Sequence, residues 1–165
     1  MITLSPADAV LNLAWWLRWV TESHGPNRGE AVDAIIRVTG LNPASPPAGL
    51  TSVPWCACFV AACGYAVLKD AWPLKKVAGC VSLYDDAIAK YLIRLEPARG
   101  RVFLLHNGTR FNHTGFCQAP AGGGGGAWTT IEGNTNAGGS PEGTGVFVRT
   151  RVFPSSTRFI EWNRA

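Results

Sequence analysis

Four residues have types and spacing that fit one kind of chemistry. Cys56 opens the apolar run WCACFVAACGYAVLK, His113 lies in NHTGFC, and Glu132 and Asn134 lie in TIEGNTN. A thiolate is a strong nucleophile toward a carbonyl carbon, and an imidazole can hold or return its proton when a carboxylate or amide fixes the ring tautomer. The set reads as a nucleophile (Cys56), a general base and acid (His113), an orienting carboxylate (Glu132) and a neighbouring amide (Asn134). Acyl transfer is the reaction class such a set performs.

The elements around these residues must bring them together. Pro54 and Trp55 mark a helix entry, and the run from Trp55 to Lys69 is long, apolar and rich in small residues, as a buried central helix requires. Cys56 then falls in the first turn, where free backbone N–H groups and the positive dipole end favour a thiolate. Its own N–H is suited to a developing oxyanion. Cys58, two residues on, points elsewhere on the helix and gains less. If the five-glycine run from Gly122 to Gly126 is the tip of an antiparallel hairpin centred near 122 to 123, position 113 falls opposite about 132. Strand alternation sends Glu132 and Asn134 to one face and Ile131 and Gly133 to the other, so one imidazole meets one carboxylate and one amide. His106 precedes an Asn-Gly turn and His24 precedes Gly25 and Pro26, so both read as loop residues. His113 is the preferred base.

The remaining elements follow from caps and periodicity. Ser5, Pro6 and Asp8 start a helix that runs to about Val20, with Val10, Leu13, Ala14 and Leu17 on one side and Leu11, Trp15 and Trp19 on the other. Two apolar faces predict a buried helix; a glycan-stacking or partner-docking surface is the alternative role for its tryptophans. Asn27 and Glu30 have capping-box spacing ahead of Val32, Ile35, Ile36 and Thr39, and Gly40 ends that helix. Four prolines make 42–54 an ordered loop or a short linker, and a fourth helix is expected from Ser82, closed by Pro97 and Gly100. The second half turns to short segments rich in β-branched and aromatic residues, at 101–106, 113–118, 127–134, 145–153 and 158–162. Helices first and strands afterward predict an α+β fold, with the nucleophile helix packed on a C-terminal antiparallel sheet. The glycine run reads as slack in a hairpin tip; a mobile flap is the other reading.

Composition bounds the rest. A chain of 165 residues with 47% hydrophobic and 16% charged residues suits one globular domain, 1–165, and excludes wholesale disorder. Arg18 and Glu22 interrupt the first apolar stretch, and no run reaches the ~18 residues of a membrane span. The first residues lack the pattern of a secretory signal, so synthesis in the cytoplasm and export by another route are expected. The net charge of +4 is scattered and forms no basic block, which gives no indication of nucleic-acid binding. Five cysteines cannot all pair, and their spacings lack zinc knuckles. Cys58, Cys63, Cys80 and Cys117 read as small buried hydrophobes, and no metal or cofactor is called for.

In order and spacing, VPWCACFVAAC, NHTGFC and TIEGNTN resemble the CHAP family, the cysteine- and histidine-dependent amidohydrolases and peptidases of the papain-like class. The stretch TESHGPNRGEAVDAIIRVTG is similar to the helical lead-in of phage-type and bacterial members, and GVFVRTR with FIEW to their closing strands. The resemblance implies a papain-like fold with Cys56 as nucleophile, His113 as base and acid, Glu132 orienting the ring and Asn134 as the fourth polar member. It also implies a peptidoglycan substrate, cut as an N-acetylmuramoyl-L-alanine amidase or as an endopeptidase. The settings it suggests are a phage lysin released by a holin and an antibacterial effector acting in a rival's periplasm, the second with an immunity partner. Rival readings are an amidase on a small soluble amide and a catalytically idle glycan- or protein-binding module. The chain departs from similar proteins at Gly100 and Arg101, where they often carry Gly-Asp.

Overall fold

The computed structural model describes residues 4–122 and 125–163. Helix α1 (Pro6–Trp16) starts where expected: Ser5 Oγ accepts from the Asp8 N–H at 3.1 Å, and Pro6 takes the first helical position. Its core side is Ala7, Val10, Leu11 and Ala14, one stripe at helical spacing. With that stripe inward, the neighbouring tryptophans face out. Trp16 and Trp19 are 72% and 74% exposed, which corrects the expectation of a helix buried on two faces. The chain tightens into a 3-10 turn at Leu17–Trp19, and the Arg18 guanidinium sits 4.7 Å from the ring centroids of both Trp15 and Trp19.

Helix α2 (Glu30–Arg37) is capped by Gly29, not Asn27. Asn27 adopts a left-handed φ of 58° and donates its amide to Ser52 Oγ, while Asp33 binds Arg28 and accepts from the Gly29 N–H. A carboxylate one turn in does the work assigned to the capping box. Helix α3 (Cys56–Leu68) matches the expected central helix, and its residues 56 to 64 are all buried. Helix α4 (Cys80–Ala89) begins two residues before Ser82, because the Gly79 carbonyl already accepts from the Leu83 N–H at 3.0 Å. It stops well before Pro97, where Tyr91 takes φ 57° and the chain enters a short strand.

Six strands form one antiparallel sheet: β1 (Ile93–Arg94), β2 (Val102–His106), β3 (Phe111–Pro120), β4 (Ala127–Thr135), β5 (Gly145–Val152) and β6 (Arg158–Ile160), in the order β1-β6-β2-β3-β4-β5. The fold is α+β. Val102, Leu104, Phe116, Ile131 and Ile160 share the main core with α1, α2 and α3. Phe103, Cys117 and Phe159 form a second, smaller cluster with Phe153 and Trp128. Alternation separates the two sets, since neighbouring strand residues face opposite ways. The glycine run joins β3 to β4, and the Ala121 N–H donates to the Ala127 carbonyl at its base. Gly123 and Gly124, and with them the reading of the run as slack or flap, lie outside the described residues. Among the described residues, no helix is long and apolar enough to cross a membrane.

Candidate active site

The nucleophile candidate is held by its helix. Trp55, fully buried, donates its indole N–H to Glu22 Oε1 at 3.0 Å, and the Trp55 carbonyl accepts from the Phe59 N–H to begin α3. Cys56 is therefore the first helical residue. It is 3% exposed, and it lines a cleft of ≈ 540 Å³ shared with Cys80, Leu50, Arg110, Phe111 and Glu142. Cys56 thus sits, nearly buried, in the wall of a cleft.

The His113–Glu132 pair is built by the β3–β4 hairpin. Phe116 pairs with Ile131 and Cys117 with Thr130, after a bulge between Cys117 and Ala119. Continuing that ladder puts Gly115 beside Glu132, and a Cβ built on Gly115 would lie 2.9 Å from Glu132 Cγ. His113 and Glu132 are thus diagonal neighbours two residues apart in register, not directly opposed as the sequence suggested. Because strand side chains alternate with a period of two, an offset of two keeps both on one face. His113 Nε2 meets Glu132 Oε2 at 2.8 Å, with the two residues 1% and 0% exposed.

The other ring nitrogen, Nδ1, is buried without a hydrogen-bond partner. That nitrogen remains for a nucleophile. Phe111 and Asn112, which lead into His113, line the same cleft as Cys56. Cys56 and His113 lie close enough for each to shift the other's proton affinity, across a contact looser than a formed hydrogen bond. Such contacts tighten when substrate binds.

The electrostatics favour an ion pair. A hydrogen bond from Cys80, whose sulfur is 3.7 Å away, is the largest influence drawing the Cys56 thiol well below its usual value. Burial opposes it, and His113 and the Ala57 N–H add to it. Burial alone would lower the His113 pKa, yet Cys56 and Glu132 outweigh it and raise it to about 9. Burial likewise works against the Glu132 carboxylate, but Arg151 and His113 bring it down to about 2. These directions together favour a thiolate, an imidazolium and a carboxylate in series. The other thiols differ: Cys58 is pushed up to about 12, mainly by burial, and burial also raises Cys63 and Cys117.

Asn134, the fourth expected residue, is fully buried near the end of β4. It takes a left-handed φ of 57° within the irregularity between Glu132 and Thr135, and its amide donates to Glu142 Oε2 at 3.3 Å. The regular alternation that put it beside Glu132 breaks there, and its side-chain oxygen is buried without a partner. His106 is occupied by its own turn, where Nδ1 accepts from the Gly108 N–H at 3.1 Å. His24 lies on an exposed loop.

Two residues of the site were missed from the sequence. Arg151 binds both oxygens of Glu132, and Cys80 meets Cys56. The alternation in GVFVRTR offered a signal for Arg151, since Arg149 and Arg151 share a face of β5. Nothing local marks Cys80, which comes to Cys56 only because two helices start side by side.

Compared with known proteins, the chain matches no family model, no curated protein and no solved structure.

Proposed function

We propose that the chain is a papain-like cysteine amidohydrolase of the CHAP kind that cleaves an amide bond in the stem peptide or cross-bridge of peptidoglycan. One observation carries the reading: a thiol with a depressed pKa on the first residue of a buried helix, at the wall of a cleft, beside a histidine held by a buried carboxylate. Thiolate nucleophiles are made in this way, by a helix N-terminus and an adjacent imidazolium.

The steps follow from the charges. The Cys56 thiolate attacks the amide carbonyl carbon, and the oxygen that becomes negative meets the Cys56 backbone N–H. His113, protonated, gives its proton to the leaving amine, and the C–N bond breaks to leave a thioester on Cys56. Neutral His113 then takes a proton from water, hydroxide attacks the thioester, and the thiolate departs to re-form the ion pair. Glu132 stays ionised throughout and holds the ring. The peptidoglycan substrate rests on the resemblance of VPWCACFVAAC, NHTGFC and TIEGNTN. Phage lysin and antibacterial effector are the two settings consistent with it.

The test is release of new amino groups from purified peptidoglycan. Cys56→Ala should abolish release while the circular-dichroism spectrum and unfolding temperature stay near those of the parent; undiminished turnover would exclude a thiol mechanism. Mass spectrometry of the released fragments then separates amidase from endopeptidase, since each cut leaves a different pair of ends.

A further inference from the structure

The two sulfurs at the cleft are more closely matched than hydrolysis needs. Cys56 and Cys80 are each the first residue of a helix, α3 and α4, and both line the cleft. Their Sγ atoms are 3.7 Å apart, with 3% and 7% of the two residues exposed. No other pair of thiols is recorded in contact among the described residues, and Cys58 instead meets Thr39 Oγ1 at 4.0 Å. A hydrolase nucleophile asks for a base and an orienter, not for a second thiol in van der Waals reach.

We propose that Cys56 and Cys80 form a redox modification site, in which a hydroperoxide oxidises Cys56 and Cys80 resolves it to a reversible intramolecular disulfide. The Cys56 thiolate attacks one peroxide oxygen, the O–O bond breaks, and with one proton the products are a Cys56 sulfenic acid and an alcohol or water. The Cys80 sulfur then attacks the Cys56 sulfur, the S–O bond breaks, and water leaves carrying the Cys80 proton. The protein has lost two electrons and two hydrogens to the peroxide. A dithiol reverses the change by two exchange steps through a mixed disulfide.

Geometry favours this over the alternatives. The sulfurs must close from 3.7 Å to the ~2.05 Å of a disulfide, a short approach between side chains on the first turns of α3 and α4. All five cysteines are buried, but Cys56 and Cys80 line the cleft by which a small oxidant would arrive, and Cys58, Cys63 and Cys117 do not. Resolution also spares Cys56 from further oxidation, because sulfinic and sulfonic acids are not recovered by thiols. The consequence for hydrolysis rests on the function proposed above: a disulfide consumes the nucleophile and switches turnover off.

The experiment treats the reduced full-length protein with a small excess of hydrogen peroxide and follows it by intact mass and peptide mapping, with dithiothreitol recovery. The expected product has lost two hydrogens, carries one cross-link between Cys56 and Cys80, and returns to the starting mass on reduction. Cys80→Ser should form no such cross-link and should instead accumulate Cys56 sulfinic acid that dithiothreitol does not reverse. If the parent accumulates sulfinic acid as readily as Cys80→Ser, or if the cross-link joins Cys58, Cys63 or Cys117, the proposal is overturned. These readouts need no substrate, so a protein inert on peptidoglycan would count against the hydrolase alone. In an active protein, turnover should fall in proportion to the cross-linked fraction and return on reduction.

Discussion

Arg151 grips Glu132 with both arms of its guanidinium, Nε to Oε1 at 2.5 Å and Nη2 to Oε2 at 2.6 Å, while Glu132 Oε2 also holds His113 Nε2 at 2.8 Å. The carboxylate is thus a relay between a cation on β5 and the imidazole on β3. A bidentate guanidinium fixes the carboxylate plane, and the plane fixes the ring. The same guanidinium lies 5.9 Å from the Phe103 ring centroid, packed over the second hydrophobic cluster.

Removing that cation should therefore weaken the fold and the chemistry together. Arg151→Met leaves Glu132 buried with one partner fewer, which should cost about 3 kcal/mol in denaturant unfolding. Turnover should fall roughly tenfold to a hundredfold, by analogy with the loss of groups that orient a metal-bound histidine. Arg151→Lys should recover little, because an ammonium cannot bind both oxygens in one plane. An Arg151→Met protein as stable and as active as its parent would show that Glu132 holds the ring unaided.

The pH profile should carry the signature of the ion pair. His113, raised to about 9, can protonate a leaving amine below that pH and loses the ability above it, so the alkaline limb of hydrolysis should fall near pH 9. Cys56, drawn well below 9.0, should react with iodoacetamide already as a thiolate at neutral pH. His113→Ala removes the imidazolium and should slow alkylation at pH 7; an unchanged labelling rate would sink the ion-pair account.

Acid stability should depend on Glu132. Its pKa falls from 4.5 unfolded to about 2 folded, so the stabilisation is fully present above pH 4.5 and disappears as pH drops through 2. The shift corresponds to on the order of 3 kcal/mol. Urea unfolding of the parent should lose that amount between pH 5 and about 2 in excess of Glu132→Gln. Identical slopes for the two proteins would remove Glu132 from the account.

Close packing of β4 on α3 sets a further expectation. A Cβ at Gly133 would lie 2.6 Å from Phe59 Cβ and 3.0 Å from Trp55 Cζ3, so Gly133→Ala must push the strand away from the residue before Cys56. About 1–3 kcal/mol of destabilisation is expected, with loss of activity in the folded fraction. Gly122→Ala meets nothing within 4 Å and should stay within about 0.5 kcal/mol. Equal effects of the two would mean the sheet yields freely there.

The choice of base is open to direct trial. His106→Ala should keep most activity, since His106 serves its turn through the Gly108 N–H, whereas His113→Ala should lose nearly all of it. The reverse outcome would move the base to His106.

Local chemistry made much of the site legible in the sequence. Pro54, Trp55 and an unbroken apolar run specify a buried helix entered at Pro54 or Trp55 with Cys56 in its first turn, because an interior helix needs no polar face and a proline fits its entry. Two strands around a glycine run specify a hairpin, and its period of two kept His113 and Glu132 on one face although their register was displaced by two. At Asn134 a left-handed residue and a ladder irregularity interrupt the alternation, and its amide donates to Glu142. The buried first helix failed for a related reason: apolar residues on two sides do not say which side meets the core, and packing chose Val10, Leu11 and Ala14 over Trp16 and Trp19.

What the chain determined by itself is the buried helix that opens at Cys56, the hairpin and the order of elements, since these follow from steric and hydrogen-bonding preferences within a few residues. The tertiary structure alone decided that Arg151 meets Glu132 and that Cys80 meets Cys56. Those pairs join residues 19 and 24 positions apart whose elements only become neighbours when the sheet and the helices pack, and no local preference encodes that distance.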